Sequence, residues 1–332
     1  MGGFTMSNQA ILDRLLEMVG FKAGLTLTQA RLMDLISRMH PHIAAQLSVP
    51  DGATRLSSVE HLELTAALLH AVGACDVPKP VFVQLDVERT FRDDPVAASL
   101  VAPIAEAFAA YTATEDAFLS PGGANGVNPF LVEMHDRYSD RGADVALAFL
   151  RLQIQAQQQH IADFRTTDWI DQRDLEDLFA SERLEAQYGR FFDQRFINYL
   201  RSNFEAIDEI HWRQLEAVTA EHFARQGFEV ELGPGRGDGG VDVRVFPKGG
   251  EADRPPLILV QCKRQQAQVE ALVVKALHAD VVHEKARSGL IVTTSRLSRG
   301  AQVVRTARAY PIQAAERENL RIWLMAMRRA SD

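Results

Sequence analysis

The sequence predicts an α+β protein in which an all-α N-terminal region precedes an α/β domain with a mixed sheet. Up to about residue 205, apolar side chains recur mainly at helical spacing, i, i+3 and i+4. From residue 210 onward, short β-branched runs alternate with amphipathic stretches, which is typical of a sheet flanked by helices. A length of 332 residues is enough for two domains with separate cores.

Charge separates the same two parts of the chain. Residues 1–205 hold 17 Lys and Arg against 28 Asp and Glu, a net charge of −11, whereas residues 206–332 hold 19 against 16, a net charge of +3. Only the second part suits contact with a phosphate backbone. We therefore predict a domain boundary near residue 205, with residues 1–205 acting in sensing, oligomerisation or partner binding.

Composition argues against several classes of protein. A hydrophobic content of 46% is ordinary for a globular protein, and we expect neither a membrane span nor a secretory signal. The only cysteines are Cys75 and Cys262, and neither has a companion Cys or His at zinc-site spacing. We therefore expect a reducing cytoplasm, without disulfides or structural zinc.

Helix-start signals organise the N-terminal region. Ser7, Thr28 and the capping box from Ser57 to Glu60 each precede an apolar helical pattern. Residues 81–85 are predicted as a short strand. Ser120–Pro129, SPGGANGVNP, is the clearest linker and marks a sub-boundary in this region.

Helical patterns return after the linker. They are predicted over residues 144–159 and 173–188. An aromatic and apolar stripe at helical spacing follows, and we interpret it as core. Its members are Phe192, Phe196, Tyr199 and Leu200.

The C-terminal part reads as α-β-β-β-α-β-α-β-α. Such an order predicts a mixed sheet covered by helices on both faces. The predicted strands are Phe228–Leu232, Val241–Phe246, Leu257–Lys263, Leu290–Thr294 and Ile312–Ala315.

Polar and charged residues lie near the ends of two of these predicted strands. Asp242 lies near the start of one strand, and Gln261-Cys262-Lys263 ends the next. Because strand side chains alternate, Gln261 and Lys263 project to one side and Cys262 to the other. Oxygen ligands hold Mg²⁺, and a nearby ammonium group orients water or stabilises phosphate charge. The pattern indicates metal-dependent phosphodiester hydrolysis.

Four stretches in order strengthen this interpretation: LEAVTAEHFARQGFEVE, GDGGVDVRV, LILVQCKR and GLIVTTSRLSRGA. Together they resemble the Mrr-like restriction endonucleases, a branch of the PD-(D/E)XK nuclease superfamily. The resemblance covers roughly residues 209–301, and it implies a restriction-endonuclease-like fold for residues 206–332. No winged-helix DNA reader of the kind often joined to this family is found.

The resemblance also implies roles for particular residues. Asp242 matches the metal-binding aspartate, Gln261 the position held by Asp or Glu in the wider superfamily, and Lys263 the catalytic lysine. Glu216 matches a further carboxylate on the first helix of the domain. Helical geometry favours Glu216 over Glu221, which we interpret as a solvated surface charge.

Two further stretches are assigned from the same motifs. Thr293, Thr294, Ser295 and Arg296 follow the last clear strand and are predicted to contact DNA phosphates. Asp238 is predicted to shape the glycine-rich turn GDGG in preference to binding metal, which stays the alternative.

The predicted function is a Mg²⁺-dependent endodeoxyribonuclease, with Mn²⁺ able to substitute. Its predicted substrate is double-stranded DNA, cut in restriction of foreign or modified DNA, and a homodimer or higher homo-oligomer is expected. A competing interpretation is a nuclease effector of antiphage defence, triggered through the N-terminal region. Another is a non-catalytic DNA- or protein-binding module, against which the joint presence of Asp242, Gln261 and Lys263 argues.

Overall fold

The computed structural model describes residues 3–113, 128–158, 169–235, 240–249 and 254–328. The chain divides into two compact units. One unit combines residues 1–78 with residues 165–332, and the other spans residues 79–164. The predicted linker at Ser120–Pro129 lies largely outside the described residues, as does Asp238. The predicted boundary near residue 205 stays a prediction, because helices on both sides of it share the larger unit.

The larger unit begins with a small helical subdomain built around paired strands. Strand β1 (Gly3–Ser7) pairs antiparallel with β3 (Ala53–Ser57), and each strand leads directly into a helix. Ser7 and Ser57 cap these helices, and the capping box predicted at Ser57 and Glu60 is confirmed. The remaining elements are α1 (Asn8–Ala23), β2 (Leu25–Thr26), α2 (Gln29–Met39), α3 (Pro41–Leu47) and α4 (Ser58–Ala71).

A predicted helix is mostly wrong in the segment that follows residue 169. The expectation covered residues 173–188, but the structure has β4 (Arg173–Asp174), which pairs parallel with β2, and α8 (Glu176–Ala180). Main-chain carbonyls beyond α8 are bound by a side chain instead of by helix partners, since Gln214 Nε2 donates to Ser181 O at 3.1 Å and to Arg183 O at 3.0 Å. Tertiary contacts therefore override the local helical pattern here.

The aromatic stripe predicted as core is confirmed. Its four residues are buried, and most of them lie on α9 (Gln194–Ser202). The neighbouring Arg195 is fully buried, with its guanidinium paired to Asp193 (Nη2 to Oδ2, 2.7 Å) and Asp171 (Nη1 to Oδ1, 2.9 Å). It also donates to the carbonyl of Gly24 at 3.4 Å, beyond the end of α1. This arginine therefore ties the N-terminal subdomain to the chain that enters the C-terminal sheet.

The C-terminal part follows the predicted order and fold class. A five-stranded mixed sheet runs in the order β5-β6-β7-β8-β9, with β5, β6 and β7 antiparallel and β7, β8 and β9 parallel. Helices flank it, preceded by a 3-10 turn (Phe204–Asp208). The elements are α10 (Trp212–Arg225), β5 (Glu229–Leu232), β6 (Val243–Phe246), β7 (Ile258–Lys263), α11 (Ala271–His283), β8 (Ser288–Thr293), α12 (Arg299–Ala307), β9 (Ile312–Ala315) and α13 (Arg317–Met327).

Buried apolar side chains fill both faces of this sheet. Leu259 and Ile291 pack with α11 and α12 in a core that includes Val274 and Leu277. Helix α10 covers β5, β6 and β7, and it packs against α13 where His222 stacks on Trp323 with ring centroids 4.0 Å apart. These contacts fix α10 and β7, the two elements that carry the predicted site residues.

The smaller unit is helical throughout its described part. Its helices are α5 (Val83–Thr90), α6 (Pro95–Thr112) and α7 (Pro129–Gln158), the last kinked at Ser139, whose φ is 61°. The short strand predicted over residues 81–85 is therefore wrong. Asp86 accepts a hydrogen bond from the N–H of Phe82 at 2.9 Å, and Val87 is fully buried in the unit's core, so this stretch favours a helix.

One described helix has the length and composition of a membrane span. Helix α6 contains 18 residues with a mean hydropathy of 1.3. Its residues Ala97, Val101, Ile104 and Phe108 are buried in the core of the smaller unit. A core helix can meet the same criteria of length and composition, so the expectation that no segment spans a membrane stays a prediction.

Candidate active site

The candidate site lies where β7 ends, at the border between the antiparallel and parallel halves of the sheet. Regular pairing of β7 with β6 ends at Val260, while its pairing with β8 continues to Lys263. The last three residues of β7 are therefore free of a regular β6 partner. These residues, Gln261, Cys262 and Lys263, are the ones that the sequence singles out.

Asp242 immediately precedes β6 and is held against β7 by main-chain hydrogen bonds. Its N–H donates to Val260 O at 2.9 Å, and its carbonyl accepts from the N–H of Gly233 at 2.8 Å. Its carboxylate oxygen Oδ2 accepts from the N–H of Cys262 at 2.6 Å. The side chain is only 8% exposed. This arrangement fixes a buried carboxylate beside the strand that carries Gln261.

Gln261 contributes a buried oxygen that lacks a partner among the described residues. The residue is 7% exposed, and no described group donates a hydrogen bond to its Oε1. Buried side-chain oxygens are usually satisfied, so an orphan acceptor calls for a donor or a cation. Its Nε2 lies against Gly240, where an added Cβ would come within 2.9 Å of it. The φ of Gly240 is +99°, so both the conformation and the close approach favour glycine at this position.

Lys263 is the last residue of β7 and is half-buried. Burial raises the pKa of the neighbouring Cys262 thiol well above its usual range, and the charges of Asp242 and Glu216 raise it further. A hydrogen bond with Thr219 and the charge of Lys263 act in the opposite direction. Three predicted site residues, Asp242, Glu216 and Lys263, therefore lie close enough to act electrostatically on one thiol.

Glu216 on α10 is buried and bound by an arginine. It is 3% exposed, and its Oε2 accepts from Nη1 of Arg213 at 2.6 Å. Nη2 of Arg213 also donates to the carbonyl of Gly233 at 2.7 Å. Because Gly233 donates in turn to Asp242, Arg213 connects the α10 glutamate to the loop that precedes the aspartate. The sequence analysis did not single out Arg213, whose spacing of i, i+3 from Glu216 was an available signal.

The interpretation of Glu221 as a solvated surface charge is wrong. Glu221 is 2% exposed, and its Oε2 accepts from three successive main-chain N–H groups, at 2.8, 2.7 and 3.3 Å. Those N–H groups belong to residues 190–192, which precede α9. Oε1 accepts from Nε of Arg225 at 2.7 Å. The helical projection failed because it treated the sheet as the only partner of α10, whereas the chain before α9 covers the opposite face.

The hydroxyl groups predicted to contact DNA already donate to the main chain. Thr293 Oγ1 donates to Lys263 O at 2.9 Å. Thr294 Oγ1 donates to the carbonyl of residue 265 at 3.2 Å, and Ser295 Oγ to that of residue 266 at 3.0 Å. A hydroxyl has a single hydrogen, so none of the three donates to a phosphate without releasing its carbonyl. Arg296 is exposed, and its guanidinium meets the amide oxygen of Gln268 at 2.8 and 3.0 Å.

A cleft of about 670 Å³ opens beside these hydroxyls, where β7, β8 and β9 end. Its walls include Ser295, Arg296 and Arg317, together with Asp208 and Glu205 from the 3-10 turn. Arg317 pairs with both acidic residues and lies 2.6 Å from Asp208. Arg317 offsets only part of the acidic charge here, because Glu316 and Glu318 also line the cleft. Arg296 is the guanidinium that faces solvent without a carboxylate partner among the described residues.

The residues fit a magnesium site with few protein ligands. Among the described residues, no group of three or more His, Cys, Asp and Glu side chains could hold a metal ion. Magnesium usually keeps several waters and is held through one or two carboxylates plus substrate phosphates. A carboxylate at Asp242 and an unpaired amide oxygen at Gln261, with Glu216 on the adjoining helix, match that donor set.

Comparisons with known proteins bear on the same part of the chain. Residues 207–324 match the Mrr_cat family model, described as a restriction endonuclease. The match confirms the predicted resemblance to Mrr-like nucleases and the fold predicted for this part. A family of this kind supports a nuclease that acts on DNA.

Two individual proteins are similar to parts of this chain. The uncharacterized protein y4cE of Sinorhizobium fredii is 35% identical over 92 residues, which are 27% of this chain and 23% of the relative. This chain thus aligns with less than a quarter of that relative's length. The solved structure of the MspJI restriction endonuclease in complex with a 27-mer oligonucleotide is 24% identical, covering 41% of this chain and 31% of that chain, with a TM-score of 0.26. That score is too low for the likeness to carry structural conclusions.

Proposed function

We propose that this protein is a metal-dependent endodeoxyribonuclease that hydrolyses phosphodiester bonds in double-stranded DNA. The observation that carries the proposal is the buried Oε1 of Gln261, which has no partner among the described residues, next in sequence to Cys262, whose N–H holds the carboxylate of Asp242. Asp242 and Gln261 each offer an oxygen ligand, and the Gln261 oxygen receives no hydrogen bond from a described group. Such a pair suits a divalent cation. The family match over residues 207–324 supports the same chemistry.

The candidate site residues would have different roles in phosphodiester hydrolysis. Asp242 and Gln261 would hold Mg²⁺, with Mn²⁺ able to substitute, and Glu216 would add a carboxylate once it separates from Arg213. When bound, the ion polarises the scissile phosphate and lowers the pKa of the attacking water. Lys263, fixed at the end of β7, orients that water or offsets the charge that develops on the phosphate. The exposed guanidinium of Arg296 supplies a contact to the DNA backbone.

Restriction of foreign or modified DNA is the role that we propose for this activity, in the cytoplasm. Each chain carries one candidate site in the sheet, whereas cutting both strands needs two. We therefore propose that a homodimer or larger homo-oligomer acts on duplex DNA. Mass measurement by light scattering, with and without a DNA duplex, tests this expectation, and a monomer that cuts both strands in one binding event would contradict it.

A second candidate is a nuclease effector of antiphage defence, activated through the N-terminal region. Its support is the buried Arg195, whose hydrogen bonds join the N-terminal subdomain to the chain that leads into α10. In such an effector, a signal received by the N-terminal helices would reach the nuclease through a packed connection. The two candidates share their chemistry and differ in what triggers cleavage.

Plasmid cleavage by purified protein tests the proposal. Wild type, Lys263→Ala and the matched control Lys275→Ala, an exposed lysine on α11, are compared with Mg²⁺, Mn²⁺ or EDTA on modified and unmodified DNA. We expect metal-dependent cleavage by wild type and Lys275→Ala, and a loss of about 100-fold or more in Lys263→Ala. A preference for modified DNA would support restriction.

Other outcomes separate the alternatives. Cleavage that survives Lys263→Ala would mean that the active site lies elsewhere. Intact DNA binding without cleavage under every condition would favour the non-catalytic module. Cleavage that appears only after addition of phage-infected cell extract would favour the triggered effector.

A further inference from the structure

Thr293 is placed to hold the main chain of Lys263 from the β8 side. The two residues are paired in the parallel register of β7 and β8. The hydroxyl of Thr293 donates to the carbonyl of Lys263 at 2.9 Å, and the N–H of Thr294 donates to the same carbonyl at 3.3 Å. One carbonyl at the end of β7 thus receives two hydrogen bonds from β8. Thr293 is fully buried, so water does not compete for its hydroxyl.

The β6 side offers little support at the same point. Regular pairing of β6 with β7 stops at Val260, and beyond it the N–H of Cys262 bonds to the carboxylate of Asp242. The end of β7 therefore depends on β8 to fix its position. A lysine side chain is long and flexible, so a rigid main chain is the first requirement for placing its ammonium group.

The next two hydroxyls extend this contact along the loop after β7. Thr294 Oγ1 donates to the carbonyl of Gln265 at 3.2 Å and accepts from its N–H at 3.1 Å. Ser295 Oγ donates to the carbonyl of Gln266 at 3.0 Å. Together, Thr293, Thr294 and Ser295 form a hydroxyl clamp that binds the chain from residue 263 to residue 266. All three hydroxyl hydrogens point into the protein's own main chain.

We propose that Thr293 is a positioning residue for Lys263, with Thr294 and Ser295 completing the clamp, and that these hydroxyls do not bind DNA. The inference rests on the proposed function, because it concerns the same site. Thr293 acts through the main chain of Lys263 and touches no reacting atom. Removing its hydroxyl leaves the Lys263 carbonyl with one weaker bond and lets the end of β7 shift. A displacement of about 1 Å at a reacting group can lower a rate by about 100-fold.

The test compares Thr293→Val, which keeps the shape but loses the hydroxyl, with Thr293→Ser, which restores the hydroxyl. The control is Ser288→Ala, because Ser288 Oγ donates to the carbonyl of Leu257 at the opposite end of the same two strands. Each variant is assayed for kcat and KM in metal-dependent plasmid cleavage. DNA affinity is measured over a range of salt concentrations with Ca²⁺ in place of Mg²⁺, and thermal melting reports folding.

We expect Thr293→Val to lower kcat by roughly 10-fold to 100-fold, with KM and DNA affinity unchanged within about twofold. Thr293→Ser and Ser288→Ala should keep a kcat close to that of wild type. If Thr293→Val does not fold, Ser295→Ala replaces it, with a smaller expected loss of kcat and the same unchanged affinity.

Contrary results are distinguishable from one another. Weaker DNA binding with an unchanged salt dependence in Thr293→Val would mean that this neutral hydroxyl contacts DNA, which overturns the inference. The inference would also be overturned if Thr293→Val kept the kcat of wild type, or if Thr293→Ser were as slow as Thr293→Val. The proposed function would stand in either case. Wild-type protein that fails to cut DNA with Mg²⁺ and Mn²⁺, both alone and after addition of phage-infected cell extract, would overturn the proposed function and this role together.

Discussion

The main-chain N–H of Cys262 donates a 2.6 Å hydrogen bond to Oδ2 of Asp242. The bond replaces a regular strand contact at the point where β6 and β7 separate. The donor in this bond is a neutral main-chain group, so the bond orients the carboxylate and leaves its charge in place. A substitution of Asp242 can therefore remove the charge of its side chain while keeping an oxygen that accepts from Cys262.

Asp242→Asn keeps an oxygen that can accept from Cys262 but removes the charge. We expect metal-dependent cleavage to fall by about 100-fold or more, because a neutral amide holds Mg²⁺ poorly. Cleavage assays and Mn²⁺ titration calorimetry measure the effect, and Asp34→Asn on α2, where Asp34 pairs with Arg38, is the control. Unchanged metal affinity in Asp242→Asn would exclude this aspartate as a ligand.

Gly240→Ala should disturb Gln261, and Gly249→Ala should not. Both glycines have positive φ, +99° and +71°, so alanine costs each about 1 to 2 kcal/mol in backbone strain. An added Cβ at Gly240 meets the Gln261 amide, whereas one at Gly249 has no atom of the described residues within 4 Å. Urea unfolding should show similar destabilisation, and cleavage should fall in Gly240→Ala alone. Equal activity in the two variants would remove Gly240 from the site.

Glu221→Gln tests the buried carboxylate on α10. Its charge accepts three main-chain hydrogen bonds, and an amide retains one accepting oxygen while burying two N–H donors. We expect the free energy of unfolding to fall by about 2 to 3 kcal/mol. Glu231→Gln, at an exposed position of β5, serves as the control in urea unfolding. Equal stability of the two variants would show that Glu221 contributes no more than a surface charge.

His222 makes stability depend on pH. Burial lowers the pKa of His222 from its usual 6.5 to about 4, because the ring is stacked on Trp323 between α10 and α13. The unfolded chain therefore binds a proton that the folded chain refuses between about pH 6.5 and pH 4. Folding is favoured above this window, and we expect a loss of about 2 kcal/mol on going from pH 7 to pH 5.

The control for this effect is His222→Gln, which does not titrate. Urea unfolding of wild type and variant at pH 7 and pH 5 gives the difference directly. The stability of the variant should change less with pH than that of wild type. An equal pH dependence in both proteins would assign the effect to other groups.

Both thiols should resist alkylation in the folded protein. Burial raises the pKa of Cys75 to about 11 and that of Cys262 well above its usual range. The reactive thiolate is therefore scarce at pH 8. Iodoacetamide labelling followed by mass spectrometry should modify neither cysteine until denaturant is added. Rapid labelling of Cys262 in native protein would contradict the raised pKa of its thiol.

The placement of the candidate site residues on their strands could be predicted because their spacing reflects strand geometry. Asp242, Gln261 and Lys263 lie on elements whose order and alternation are local properties of the sequence. Glu216 was assigned from the family resemblance, and helical spacing favoured it over Glu221. Arg213 was missed, and the contact of Gly240 with Gln261 within the predicted glycine-rich turn was not foreseen, because both roles arise from contacts that the chain makes only when folded.

Several predictions from the sequence were wrong where segments distant in sequence pack together. Glu221 looks solvent-facing on an isolated helix and is buried by residues 190–192. The stretch over residues 173–188 has a helical period, but Gln214 binds its carbonyls. The strands β1 and β3 are five residues each and stabilise one another across 50 residues of sequence. None of these contacts leaves a periodic signal in its own segment.

The three N–H groups that grip Glu221 belong to chain that precedes the family-matched domain. Trimming the protein at residue 206 would remove these three hydrogen bonds and uncover this face of α10, leaving Glu221 paired with Arg225. The family-matched domain of this protein therefore depends on contacts with the chain that precedes it. Grafting it onto a different sensor requires carrying residues 190–192 along, and a natural fusion partner would have had to adapt to that turn.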